Sequence, residues 1–153
     1  MKKRNWKKFL STFLASALAF SLVAPIVPQT VKAETVATDL IISEYIEGTS
    51  FNKAIELYNG TGTTVDLSQY TLELYSNGAS TTNSKVTLSG DLENGNTYVL
   101  YNSGANEEIQ SKGDLVNNTV INFNGDDAIV LKNSEEVIDS FGQVGVRVMW
   151  AEN

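Results

Sequence analysis

Past residue 33 the sequence is a succession of short Val-, Ile-, Leu- and Tyr-rich runs separated by glycine-bearing pairs, with no proline and no stretch of sustained helical spacing. Asn59-Gly60, Asn77-Gly78, Ser89-Gly90, Asn94-Gly95, Ser103-Gly104 and Asn124-Gly125 supply the positive-φ positions that tight connections need. Runs of this length and composition read as strands. Strands are expected near residues 39–46, 53–58, 70–75, 84–88, 97–102, 119–123, 127–132 and 136–141. Seven or eight strands in one small chain predict an all-β sandwich or barrel. Tyr70, Leu72 and Leu74 alternate with Thr71, Glu73 and Tyr75, the pattern of a half-buried strand, whereas Tyr98 to Tyr101 is apolar on both faces and suits a central one.

Residues 103–118, SGANEEIQSKGDLVNN, are polar and without a period. They read as a long connection crossing from one sheet to the other, with room for a short helical turn. No cysteine is present, so a packed core must supply the stability. One core suffices for a chain of this size.

The first residues, MKKRNWKK, followed by an apolar run from Phe9 to Val27 and then Val31-Lys32-Ala33, form a secretory signal. Cleavage after Ala33 is expected, giving a signal peptide over 1–33 and a domain over 34–153. An uncleaved segment would be the only membrane contact. Six of the eleven basic residues lie in the signal and all eighteen acidic residues follow it. Five basic residues then face eighteen acidic ones, a net charge of −13 that disfavours direct nucleic-acid binding.

The chain has no histidine and no cysteine, which excludes histidine general bases, Ser-His-Asp and Cys-His arrangements and the usual zinc sites. The remaining reactive groups concentrate in EYIEGTSFNKAIELYNG, residues 44–60. Strand alternation places Glu44 on the face of Leu40, Ile42 and Ile46, and Glu56 opposite Ile55 and Leu57. In a hairpin, Lys53 comes within reach of Glu44 or Glu56. Two readings stand for such carboxylates: acid/base or metal chemistry, or a polar clasp of ion pairs and backbone hydrogen bonds. At NFNGDDAIVL, residues 122–131, Asp126 and Asp127 either help to bind calcium or cap the turn. The six tyrosines serve as core-edge residues or as a stacking platform for sugars or bases.

The segments DLIISEYIEG, NKAIELYNGTG, VDLSQYTLELY, NFNGDDAIVL and EVIDSFGQVGV, in this order, resemble a bacterial lamin-tail domain from about Asp39 to Val146. The resemblance implies an immunoglobulin-like β-sandwich found in secreted or surface proteins, often beside hydrolases such as extracellular nucleases of the endonuclease/exonuclease/phosphatase superfamily. It implies an accessory module whose partner is a hydrolase domain or a cell-surface ligand, with the catalytic residues in another domain and no cofactor of its own. Glu44, Lys53, Glu56, Asn59, Asp126 and Asp127 are then signature positions of the family. After Gly142-Gln143-Val144-Gly145-Val146 the family continues to a closing strand. Here the chain reads RVMWAEN, so the final strand is expected to be missing or improvised and the chain to be a truncated product of a longer gene. The competing functions are a metal-dependent nuclease or hydrolase using Glu44, Glu56, Asp126 and Asp127, and a calcium-stabilised surface adhesion module.

Overall fold

The computed structural model describes residues 36–151. The signal-peptide expectation for residues 1–33 lies outside them. The described chain carries ten strands: β1 (Ile41–Glu47), β2 (Lys53–Tyr58), β3 (Val65–Asp66), β4 (Tyr70–Tyr75), β5 (Ser84–Thr87), β6 (Asp91–Leu92), β7 (Thr97–Tyr101), β8 (Leu115–Val116), β9 (Ala128–Asn133) and β10 (Glu136–Phe141), with one short α-helix, α1 (Glu107–Gln110), and two 3-10 turns. They form two four-stranded sheets, β1-β2-β7-β8 and β10-β9-β4-β5, and a small ribbon of β3 and β6.

Alternation builds the core. Ile55 and Leu57 of β2 are fully buried, as are Leu72 of β4 and Ile129 and Leu131 of β9, while Leu40, Val120, Ile121 and Phe123 fill the space between the sheets. In the second sheet Leu72 lies opposite Leu131 and Leu74 opposite Ile129, so one row of aliphatic pairs faces inward. The all-β sandwich expected from the sequence is what forms.

Three expectations need correction. Residues 119–123 are not a strand, although Val120, Ile121 and Phe123 are wholly buried. The Asn117 side-chain oxygen accepts the Thr119 and Val120 N–H groups at 3.1 and 2.8 Å, and this local turn competes with a ladder. A buried Asn102 side chain then donates to the Ile121 carbonyl at 2.7 Å, where a neighbouring strand would otherwise have done so.

The second correction concerns residues 103–118. This segment forms α1 and returns to the sheet it left, because β8 pairs parallel to β7 through Leu100–Leu115 and Tyr101–Val116. The crossing to the other sheet falls to residues 117–127 instead. The third concerns β1. Its register with β2 shifts between Ile42 and Glu44, a β-bulge at Ser43. Ile42 remains opposite Leu57 on the core side, but Glu44 lies opposite Glu56 on the outer face. Strict alternation had placed Glu44 on the inner face with Ile42.

Along the seam where β1 and β10 meet, the Ile42 N–H donates to an Asp139 carboxylate oxygen at 2.8 Å and links the two sheets. Past β10 the chain forms no further strand within the described residues. It packs irregularly against the turns instead, with the Gly145 N–H on the Ala79 carbonyl at 3.0 Å and the Trp150 N–H on the Gly125 carbonyl at 2.6 Å. Gly78, at φ +74°, is required there: a Cβ on it would lie 2.9 Å from the Arg147 backbone nitrogen.

Candidate functional site

The reactive side chains fall into two groups with different surroundings. The first group is buried and fully partnered. Lys53 Nζ lies 3.2 Å from Glu47 Oε1, with the two side chains only 7% and 2% exposed. The Tyr45 hydroxyl donates to the other Glu47 oxygen at 2.7 Å. Burial, and then this bond to Glu47, push the Tyr45 hydroxyl far above its ordinary pKa, so it remains a donor. Its ring stacks on Phe141 and packs against Phe123, and the Lys53 ammonium sits 5.6 Å from the Phe123 centroid. Lys53 thus takes Glu47 as its partner, not Glu44 or Glu56.

Asn59 is fully buried and wholly satisfied. Its amide nitrogen donates to the Thr63 and Leu92 carbonyls at 2.8 and 2.7 Å, and its oxygen accepts from the Thr61 N–H and hydroxyl. One side chain therefore ties the end of β2 to the β3–β6 ribbon.

Asp127 is also buried, and its two oxygens accept the Asn77 and Asn124 N–H groups, each at 2.7 Å. Asp126 is half-buried and accepts from the exposed Arg147 Nε at 2.8 Å. Both carboxylates engage protein donors, the arrangement of a turn cap. Among the described residues no group of three or more acids is placed to hold one metal ion. The tyrosines are dispersed: Tyr70 and Tyr75 are buried, Tyr45 belongs to the inner cluster, and no row of exposed rings is formed by them.

A second buried pair lies on the outward side of the other sheet. Lys132 Nζ is 2.9 Å from Glu73 Oε2, and the Tyr75 hydroxyl donates to the same oxygen at 2.6 Å. Burial raises the Glu73 pKa, but the bonds from Tyr75 and Lys132 outweigh it and hold the carboxyl below the usual range.

The second group lines a groove. Glu44 and Glu56, opposite one another on the outer face of β1 and β2, stand beside Ile46, Ala54 and Val99, which form an apolar floor. The far wall is the α1 arm, which contributes Glu108, Ile109 and Lys112, and the open groove has a volume of about 610 Å³. That size is within the range of about 300–1,000 Å³ typical of ligand clefts. Glu44 is exposed and Glu56 half-buried, and Glu56 accepts a 2.7 Å bond from the Ser43 hydroxyl at the bulge.

The arm is held in place locally. The Asn106 side chain caps α1 by accepting the Ile109 N–H at 3.0 Å, and the Asn106 N–H donates to Asn52 in the β1–β2 turn at 2.8 Å. Asp114 accepts the Val99 N–H at 2.8 Å and returns its own N–H to the Val99 carbonyl. Gly113 lies flat on the Tyr101 ring, where a Cβ would collide with the ring carbons. Sequence reasoning assigned no role to Glu108, Ile109 and Lys112. The signal that points to the arm is Asn106 followed by two glutamates, an N-cap and an acidic first turn.

No curated protein is significantly similar to the chain. The sequence model of the Lamin Tail Domain matches residues 33–145, which include all ten strands, the buried fastenings and the groove, and the chain therefore belongs to the Lamin Tail Domain family, with its immunoglobulin-like β-sandwich.

Proposed function

We propose that this chain is an exported, non-catalytic lamin-tail module that serves as the accessory domain of an extracellular nuclease or related hydrolase, holding that enzyme in position or binding a surface ligand. One observation carries the reading. Lys53, Asn59 and Asp127 are engaged in buried contacts that fasten the fold, and the groove carboxylates lie on the face of a sheet open to solvent. General-acid catalysis by a carboxyl needs one member of a pair in an apolar, water-poor pocket. Glu44 is exposed instead. The charged leader and small-residue site at Ala33 support export.

The test uses the chain purified from Glu34 onward and supplied with plasmid DNA, magnesium and calcium. No degradation is expected. Degradation that disappears in Glu44→Ala would establish the chain as a nuclease itself and end the accessory reading. For export, amino-terminal sequencing of protein from the culture medium of an expressing bacterium should begin at Glu34.

A further inference from the structure

We propose that the groove over β1, β2 and β7 is a docking site for an extended basic peptide segment, whose Lys or Arg head groups meet Glu44, Glu56 and Glu108 while their stems lie on Ile46, Val99 and Ile109. The inference deepens the reading of the domain as an accessory binding module and rests on it.

Charge complementarity identifies the occupant. Glu44 and Glu56 lie directly opposite across two strands, an arrangement in which like charges repel. Of the five cations after residue 33, Lys53, Lys132 and Arg147 pair with acids elsewhere in the fold. Among the described residues none of the three groove glutamates forms an ion pair, and Lys112 is the one cation in the lining. Positive charge beyond that of Lys112 is thus left for a partner to supply.

The spacing of the acids selects its form. Among the described residues the three form no group placed to hold one metal ion, and a chain bearing separated cations suits their spread along the groove. An apolar floor beneath them suits the methylene stems of lysine and arginine, which cover apolar surface while the head group stays in polar surroundings. The groove lies on a sheet face, and β2 is paired on both sides, by β1 and β7. Recognition is then by side chains, without strand addition. Because Asn52, Asn106 and Gly113 already fix the arm, little ordering is left for binding to accomplish.

The experiment is fluorescence polarisation with a labelled hexapeptide alternating lysine and alanine, against the chain from Glu34 onward. The double variant Glu44→Gln/Glu56→Gln is expected to weaken binding about tenfold, as two exposed ion pairs at the upper end of their usual strength would. Glu135→Gln/Glu136→Gln removes the same charge from the exposed β9–β10 turn and the first residue of β10, and should leave affinity within about twofold. Lys112→Met removes the groove's own cation and should tighten binding, a gain that misfolding cannot mimic. Equal losses in both double variants, no binding by the parent chain, or equally tight binding of spermidine would each overturn the proposal. The plasmid assay is independent of all three, so the accessory reading can survive the loss of this one.

Discussion

The β1–β2 hairpin carries a pair of charged residues on each face of the same sheet, and the two are built in opposite ways. On the inner face Glu47 meets Lys53 and the Tyr45 hydroxyl over an aromatic floor, with almost no exposure. On the outer face Glu44 meets Glu56, with a serine hydroxyl as the only side-chain partner that either finds among the described residues. The inner charges are balanced within the molecule, because a charge withdrawn from water and left unpaired is costly. The outer charges remain in contact with water, so their balance can be left to a ligand. Carboxylates within one hairpin therefore do different work, and burial with partnership separates them where residue type does not.

The sharpest way to break this contrast is to unpair the inner face. Lys53→Met leaves Glu47 buried with only the tyrosine hydroxyl, and should cost about 3–5 kcal/mol in urea unfolding. Adding Glu47→Gln, which still accepts from Tyr45, should recover more than half of the loss. A cost below about 1 kcal/mol for Lys53→Met would place this pair with ordinary surface ion pairs and erase the distinction.

The Glu73–Lys132 pair extends the comparison to pH. Glu73 has a folded-state pKa below its unfolded value near 4.5. Its contribution to stability is therefore fully present above that value and is lost as pH falls through the lower folded one. Lys132→Met should destabilise the domain by about 1–3 kcal/mol at neutral pH by leaving a buried carboxylate short of a partner. Glu73 in the variant takes up its proton more readily, so the gap from the parent should narrow as pH drops from about 5 to 3. Thermal unfolding across that range measures it, and a gap independent of pH would refute the assignment.

The smallest effect is expected on the outer face. Glu44→Gln/Glu56→Gln should change stability by less than about 1 kcal/mol, in the stabilising direction, because it relieves repulsion and removes no ion pair. A marked loss of stability in this variant would return both residues to the structural clasp suggested by the sequence.

Much of the frame was legible beforehand. The Asn-Gly and Ser-Gly pairs mark connections, and the alternation in KAIELY and YTLELY shows which side of β2 and β4 is buried. Asp127 as a turn cap was also one of the two readings that the sequence left open. What escaped was the side on which Glu44 lies, the partner of Lys53, and the arm as a wall. Each depended on something that residue order displays poorly: a one-residue bulge at Ser43, a choice among three nearby acids, and a helix of one turn in a polar stretch.

The sequence by itself determined the all-β class, the seven strands longer than two residues and the family signature, because period-two alternation and turn-forming pairs are local properties of neighbouring residues. Only the tertiary structure decided how those strands share a core and which acids are silenced by partners. Asp139 reaches Ile42 across 97 positions and Asn106 reaches Asn52 across 54. The groove exists because such distant pairings set the arm beside the sheet, and no local preference records the cost or gain of contacts that form only when the chain has closed.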